Sequence, residues 1–255
     1  MKNRFDLTNR VALVTGGSKG LGLAMARGLA EHGAHIMICS RNEEELKAAA
    51  DHIRDGLPVQ VDYLPVDMTD REGVKALARV ALERFEKVDI LINNAGSNIP
   101  QPIDQVQDED WDRILELNLT SIMALTRALV PQMKIRRWGR IIHISSVLGL
   151  GSKEGRNAYS ATKAAVIGLA KASALDLGPY GITVNCIAPG PFLTDLPMSL
   201  LDEQGKQSFA ARTALGRWGQ PDELVGPAIL LASEAGSYIT GEVLLVDGGA
   251  FARAL

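Results

Sequence analysis

One junction limits what this chain can fold into. Val11-Ala-Leu-Val-Thr15 is a short apolar, partly β-branched run, the pattern of a strand buried inside a parallel sheet. It breaks at Gly16-Gly17-Ser18-Lys19-Gly20-Leu21-Gly22 and gives way to a helical pattern from Leu21 to His32. Strand, glycine turn and helix start together suit a pyrophosphate: missing Cβ atoms allow close approach, and free N–H groups with the helix dipole meet the charge. Any tight strand-to-helix turn also recruits glycine, so the cluster alone specifies a turn before it specifies a ligand.

The same alternation continues to the end of the chain. Ala34 to Cys39, Val59 to Val66, Val88 to Ile92, Arg140 to Ile144, Gly181 to Ile187 and Val243 to Val246 read as six further strands. Between them lie the helical stretches Glu43 to Asp51, Asp108 to Arg137, Asn157 to Leu177 and Asp222 to Ser233. The second of these reads as one long helix interrupted by Pro131, and Pro221 starts the last. Alternating β and α elements predict an α/β fold: one doubly wound Rossmann-type domain over residues 1–255, a mostly parallel seven-stranded sheet with helices on both faces. Phe192 to Arg217 is irregular, with Met198, Leu200, Leu201 and Phe209 as apolar contacts. That segment, about 192–217, is expected to be a lid over the carboxyl ends of the strands, where open α/β sheets bind ligands.

Charge and cysteine usage remove several classes of function. A net charge of −3 supplies no basic field for nucleic acid or anionic lipid. Cys39 and Cys186 each end an apolar run and read as buried, reduced residues of a cytoplasmic protein. The first apolar run has five residues, and no run approaches the ~18 of a membrane span. The four histidines lack metal-ligand spacing, so no metal is expected. His143 sits on the fifth strand, is taken by alternation to point away from Ser145, and reads as structural.

Chemistry concentrates at strand ends and on one helix. Tyr159 and Lys163 are four residues apart and project from one helix face. A free phenol has a pKa of about 10. An ammonium ~4.5 Å away at an effective dielectric of ~20 favours the phenolate by roughly 3–4 kcal/mol, enough for acid–base work near neutrality. After the second strand come Ser40 and Arg41, with no acid before Glu43. An acid there would hydrogen-bond a ribose 2′-hydroxyl, whereas an Arg accommodates a 2′-phosphate; Arg41 alternatively points to solvent or pairs with Glu44 or Glu45. Asp67 follows the third strand and suits an adenine amino group or, in competition with Thr69 and Asp70, a helix N-cap. Asn118 in an apolar neighbourhood either braces backbone or joins a polar network.

With these pieces placed, the chain resembles the short-chain dehydrogenase/reductase family over its whole length. The carriers are TGGSKGLG at 15–22, Asp67, NNAG at 93–96, Asn118, Ser146, YSATK at 159–163 and PG at 189–190. The resemblance selects Ser146, thirteen residues before the tyrosine, over Ser145. It implies hydride transfer with a nicotinamide cofactor, with Tyr159 exchanging the proton and Ser146 positioning the substrate oxygen. Lys163 would lower the tyrosine pKa and bind the ribose, and Asn118 would hold a water linking Lys163 to solvent. The implied cofactor contacts begin with Gly16, Ser18, Lys19, Gly20, Leu21 and Gly22 in the glycine turn. Ser40, Arg41, Asp67 and Met68 follow around the adenosine, then Asn94, Ala95 and Gly96 beside the ribose. Pro189, Gly190, Phe192 and Thr194 complete the set, with Tyr159 and Lys163.

The Ser40-Arg41 pair implies NADP(H) as preferred cofactor over NAD(H). The lid sequence Arg212 to Pro221 is similar to that of gluconate 5-dehydrogenase and related sugar-acid and polyol enzymes, which implies a small polar substrate. The rival is 3-oxoacyl-carrier-protein reductase, whose two carrier-binding arginines match Arg137 and Tyr180, only one of them basic. A non-catalytic NADP(H)-binding protein is the third reading. The resemblance also implies a homotetramer or homodimer, and Ala161, Ala164, Ala165, Gly168, Ala172 and Ala174 give its central helix a small-residue face.

Overall fold

The structure is a computed structural model describing residues 3–194 and 202–252. Every residue of β1 (Val11–Thr15) is buried, and the strand sits between β2 (His35–Ser40) and β4 (Ile90–Asn93). With β3 (Val61–Pro65), β5 (Gly139–Ile144), β6 (Ile182–Pro189) and β7 (Val243–Val246) it forms a seven-stranded sheet in the order β3-β2-β1-β4-β5-β6-β7. All six pairings are parallel, so the sheet is wholly rather than mostly parallel. Chain direction across the sheet reverses between β1 and β4, which opens a crevice at the carboxyl ends of those strands.

Strand alternation divides the core in two. Ala12, Val14, Ile36, Ile38, Ile142 and Ile144 face α1 (Gly20–Glu31), α2 (Glu43–Arg54) and α8 (Val225–Ala232). Val11, Leu13, Met37, Leu91 and Ile141 face α3 (Arg71–Phe85), α5 (Ser121–Arg136) and α6 (Asn157–Leu177). By the same alternation His143 and Ser145 lie on one side, that of α5 and α6, correcting the opposite placement expected from sequence. His143 is fully buried, with Nδ1 3.0 Å from Asn93 Nδ2, and its role is structural.

The long helix is not interrupted where the proline predicts. Pro131 lies on an exposed face of α5, and the helix continues through it. The break comes earlier: α4 (Asp108–Leu115) passes through a π-helical turn, Glu116–Thr120, before α5 begins, and Asn118 sits at its centre. Helix Asp108–Arg136 is long and apolar enough to cross a membrane by length and composition, yet its Ile122, Leu125, Leu129 and Met133 are packed under the sheet. Pro221 opens a 3₁₀ turn, Pro221–Leu224, and α8 follows it. Within the expected lid, α7 spans Glu203–Arg212, while Met198, Leu200 and Leu201 lie outside the described residues.

Candidate active site

The glycine turn is held open by its neighbours. Thr15 Oγ1 accepts from Asn94 N and Ala95 N, each at 3.0 Å, and Asn94 Nδ2 donates to Thr15 O (2.9 Å) and Gly16 O (3.1 Å). Gly16 has φ +63° and Gly20 φ +57°, conformations that favour glycine. A Cβ on Gly22 would come within 2.2 Å of Gly16 O, so α1 approaches the turn as only glycine permits. Asn42 and Asp70 cap α2 and α3, whereas the N-cap of α1, Lys19, makes no side-chain cap and no acid occupies its first turn. Its first N–H groups are therefore free of side-chain caps, an arrangement that fits a bound diphosphate. Leu21 stands in that first turn, and Thr194 closes over it, its Cγ2 3.3 Å from a Cβ built on Gly20.

The end of β2 carries the features of an adenosine subsite. Among the described residues, Ser40 Oγ is buried without a hydrogen-bond partner, and exposed Arg41 makes no ion pair with Glu44 or Glu45. Glu45 instead reaches the glycine turn, where its carboxylate lies 3.6 Å from Lys19 Nζ and 3.4 Å from Ser18 Oγ. Sequence reading missed this acid because the contact spans 27 residues. It also changes the expectation for Lys19, which here neutralises a carboxylate. Asp67 is exposed and accepts from Thr69 N (2.9 Å) and Thr69 Oγ1 (2.8 Å), bonds that hold its carboxyl below the usual range. Asp70, not Asp67, caps α3. Met68 is buried against Cys39, with its sulfur 3.8 Å from the thiol, so its side chain belongs to the core.

Tyr159, Lys163, Ser146 and Asn118 converge beyond β4 and β5. Lys163 is buried, and its Nζ donates to Ile144 O at 2.7 Å. Asn118 Oδ1 accepts from Ser97 N (3.0 Å), while its Nδ2 donates to Ser97 O (2.9 Å) and Thr162 Oγ1 (3.2 Å). The side chain thus braces the 94–97 turn against α6. A Cβ on Gly96 would stand 3.2 Å from Asn118 Oδ1 and 3.5 Å from Lys163 Nζ, so these groups meet at one point. Ser145 Oγ donates to Lys163 O at 2.8 Å and ties α6 to β5, leaving Ser146 as the serine near the phenol.

Burial raises the Tyr159 phenol above its ordinary value; the hydrogen bond with Ser146 and the charge of Arg156 act downward. Lys163 Nζ is turned to Ile144 O, 5.6 Å from the Tyr159 ring centroid, and burial pulls its pKa to about 8. Arg156 is the charged neighbour that sequence reading passed over; its spacing of three from Tyr159 was the available signal.

At the end of β6, Pro189 and Gly190 lead to Phe192, whose backbone bridges Gly219 and whose ring is buried in the core. Leu193 N donates to Gly219 O and Gly219 N to Pro191 O, both at 2.9 Å. Trp218 Nε1 donates to Lys206 O (2.9 Å), and Lys153 Nζ stands 4.7 Å over Phe209. The described part of segment 192–217 therefore touches both the glycine turn and the loop before Tyr159.

Comparison with known proteins matches this arrangement to a described family. Residues 10–205 fit the short chain dehydrogenase family. The 3-oxoacyl-[acyl-carrier-protein] reductase of Chlamydia muridarum is 39% identical over 243 residues, 95% of this chain and 98% of the relative. Gluconate 5-dehydrogenase of Gluconobacter oxydans is 39% identical over 248 residues, 96% of each chain. Among solved structures, gluconate 5-dehydrogenase from Burkholderia cenocepacia in complex with NADP and tartrate superimposes with a TM-score of 0.93 at 39% identity, covering 98% of both chains.

Proposed function

The chain belongs to the short-chain dehydrogenase family and is an oxidoreductase; on that premise we propose that it moves a hydride between NADP(H) and a small polar ketone or secondary alcohol of the sugar-acid or polyol class. The observation that carries the reading is the convergence of Ser146, Tyr159, Lys163 and Asn118 beside an uncapped glycine turn. The cofactor, when bound, accepts or supplies the hydride. Its diphosphate would be held by the N–H groups of residues 16–22, its 2′-phosphate by Ser40 and Arg41, and its adenine by Asp67. Asn94, Ala95 and Gly96 would line the nicotinamide ribose with Lys163, and the backbone from Pro189 to Thr194 would meet the carboxamide.

In this reading Ser146 fixes the substrate oxygen by a hydrogen bond, and Tyr159 takes its proton during oxidation or returns it during reduction. Lys163, charged below pH of about 8, holds the ribose. Asn118 keeps the 94–97 turn in place. Segment 192–217 acts as a lid, supported by the contacts of Phe209 and Thr194. Copies of the chain pair through α6, supported by the exposure of Ala161, Ala164, Ala165, Gly168 and Ala172.

The competing substrate is a 3-oxoacyl group on an acidic carrier protein. One observation favours it: Lys134 Nζ lies 4.5 Å over Tyr180, and Arg137 donates to Pro179 O at 2.8 Å. The patch at the predicted carrier position is thus more basic than Arg137 alone. Against it, Arg137 and Tyr180 precede β5 and β6, at the end of the sheet opposite Tyr159. A panel of sugar acids, polyols and 3-oxoacyl thioesters, followed by NADPH absorbance, tests the proposal. Higher kcat/KM on sugar acids or polyols is expected; preference for the thioesters would overturn it.

A further inference from the structure

Arg156 stands one helical turn before Tyr159, and its backbone is held on both sides. Gln101 N donates to Gly155 O (2.9 Å) and Asn157 Nδ2 donates to Gln101 O (2.9 Å), so the residues on both sides of Arg156 are tied to Gln101. Arg156 itself forms a parallel bridge with Gln101. Gly155, at φ +70°, turns the chain into α6 immediately before it. The Arg156 Nη1 nitrogen is buried and has no hydrogen-bond partner among the described residues, and no carboxylate there forms an ion pair with the guanidinium. Asp110, the acid next to this clamp, is taken by Gln101 Nε2 at 2.7 Å.

A buried cationic nitrogen without a partner is costly, and a guanidinium offers only donors. Its best complement is a planar anion with two oxygens, bound through charge-assisted hydrogen bonds. A ligand that carries a carboxylate meets that requirement. Charge coupling between Arg156 and the Tyr159 phenol, seen from both residues, puts the guanidinium within electrostatic reach of the reacting oxygen.

We propose that Arg156 is the substrate-carboxylate residue of this enzyme, selecting hydroxy or keto acids over neutral polyols. This rests on the small-polar-substrate reading above and narrows it to acids. A neutral polyol leaves Nη1 unpaired, and a 3-oxoacyl thioester offers no anion near its ketone.

The test compares gluconate with sorbitol, of equal carbon number but without the carboxylate, in wild type, Arg156→Gln and Arg156→Lys. The readouts are kcat/KM and the dissociation constant from the enzyme–NADPH complex, by nucleotide fluorescence. The gluconate-to-sorbitol ratio should fall about 10–150-fold in Arg156→Gln and partly recover in Arg156→Lys. A ratio unchanged in both variants, whether or not activity falls, would overturn the assignment, because a structural or tyrosine-tuning role affects both substrates alike. Thermal unfolding of each variant shows that it is folded; if Arg156→Gln is not, Arg156→Lys decides alone. Should the wild type turn over neither compound, the small-substrate reading fails separately. Arg156 is then judged by gluconate binding to the NADPH complex: loss in Arg156→Gln supports it, and no dependence on residue 156 refutes it.

Discussion

Opposing forces meet at Tyr159. Burial keeps its phenol protonated, while Ser146 and then Arg156 favour the phenolate. Ser146→Ala removes the stronger of those two, so the limb of the pH–rate profile assigned to the tyrosine should move to higher pH. A limb that stays put or moves down in a kcat/KM profile would contradict this ordering. His143 makes a second titration test, away from the chemistry. Its pKa is pulled from 6.5 to about 3 by burial and the charge of Lys163. Above pH 6.5 it is neutral in both folded and unfolded chains. Below that, only the unfolded chain takes the proton, and stability falls by about 1.4 kcal/mol per pH unit. Denaturant midpoints for wild type and His143→Gln, measured at pH 7, 5 and 4, should converge as pH falls; parallel curves would refute the linkage. Sequence alone exposed the Tyr159–Lys163 spacing but not the sign of the tyrosine shift, since desolvation depends on what packs around the ring.

At the scale of elements, two devices shape the crevice: the uncapped start of α1 and the π turn between α4 and α5. Glu45, on the first turn of α2, pairs with Lys19 beside the glycine turn and places a negative charge near the proposed phosphate site. Glu45→Gln is therefore expected to raise NADP(H) affinity several-fold, and Ser40→Asp to reverse the preference for NADP(H) over NAD(H). Fluorescence titration with both nucleotides checks each, and weaker NADPH binding by Glu45→Gln would contradict the first. Asn118→Ala removes the side-chain partner of Ser97 N and Ser97 O and one of the two bonds of Thr162 Oγ1. That should cost about 2–4 kcal/mol in chemical denaturation, at roughly 1 kcal/mol or more per buried group. The strands, the glycine turn and the bounds of α6 were legible because apolar runs and glycine spacing are local signals. The π turn was not, because one extra residue per turn leaves the surrounding helical periodicity nearly intact, and Pro131 gave a stronger local signal for a break. Glu45 and Asn118 act through contacts distant in sequence, which no local pattern encodes.

For the molecule as a whole, the wholly parallel sheet gathers Gly16, Ser40, Asp67, Asn94, Ser146 and Pro189 at one edge, each just beyond a strand end or at it. That placement is why motifs scattered over most of the sequence resolve into one crevice. The small-residue face of α6 is a separate surface: a Cβ on Gly168 meets nothing within 4 Å, and Leu175 nearby is 81% exposed. Gly168→Arg should therefore reduce the mass measured by light scattering toward that of one chain, and an unchanged assembly would place the contact elsewhere. The central claim concerns the proton, and one comparison tests it most directly. NADPH oxidation by a keto sugar acid is followed in wild type and Tyr159→Phe, with NADPH binding measured on the same samples. The account predicts that the variant binds NADPH nearly as well but loses at least about 10²-fold in kcat; turnover near the wild-type rate with cofactor bound would contradict it.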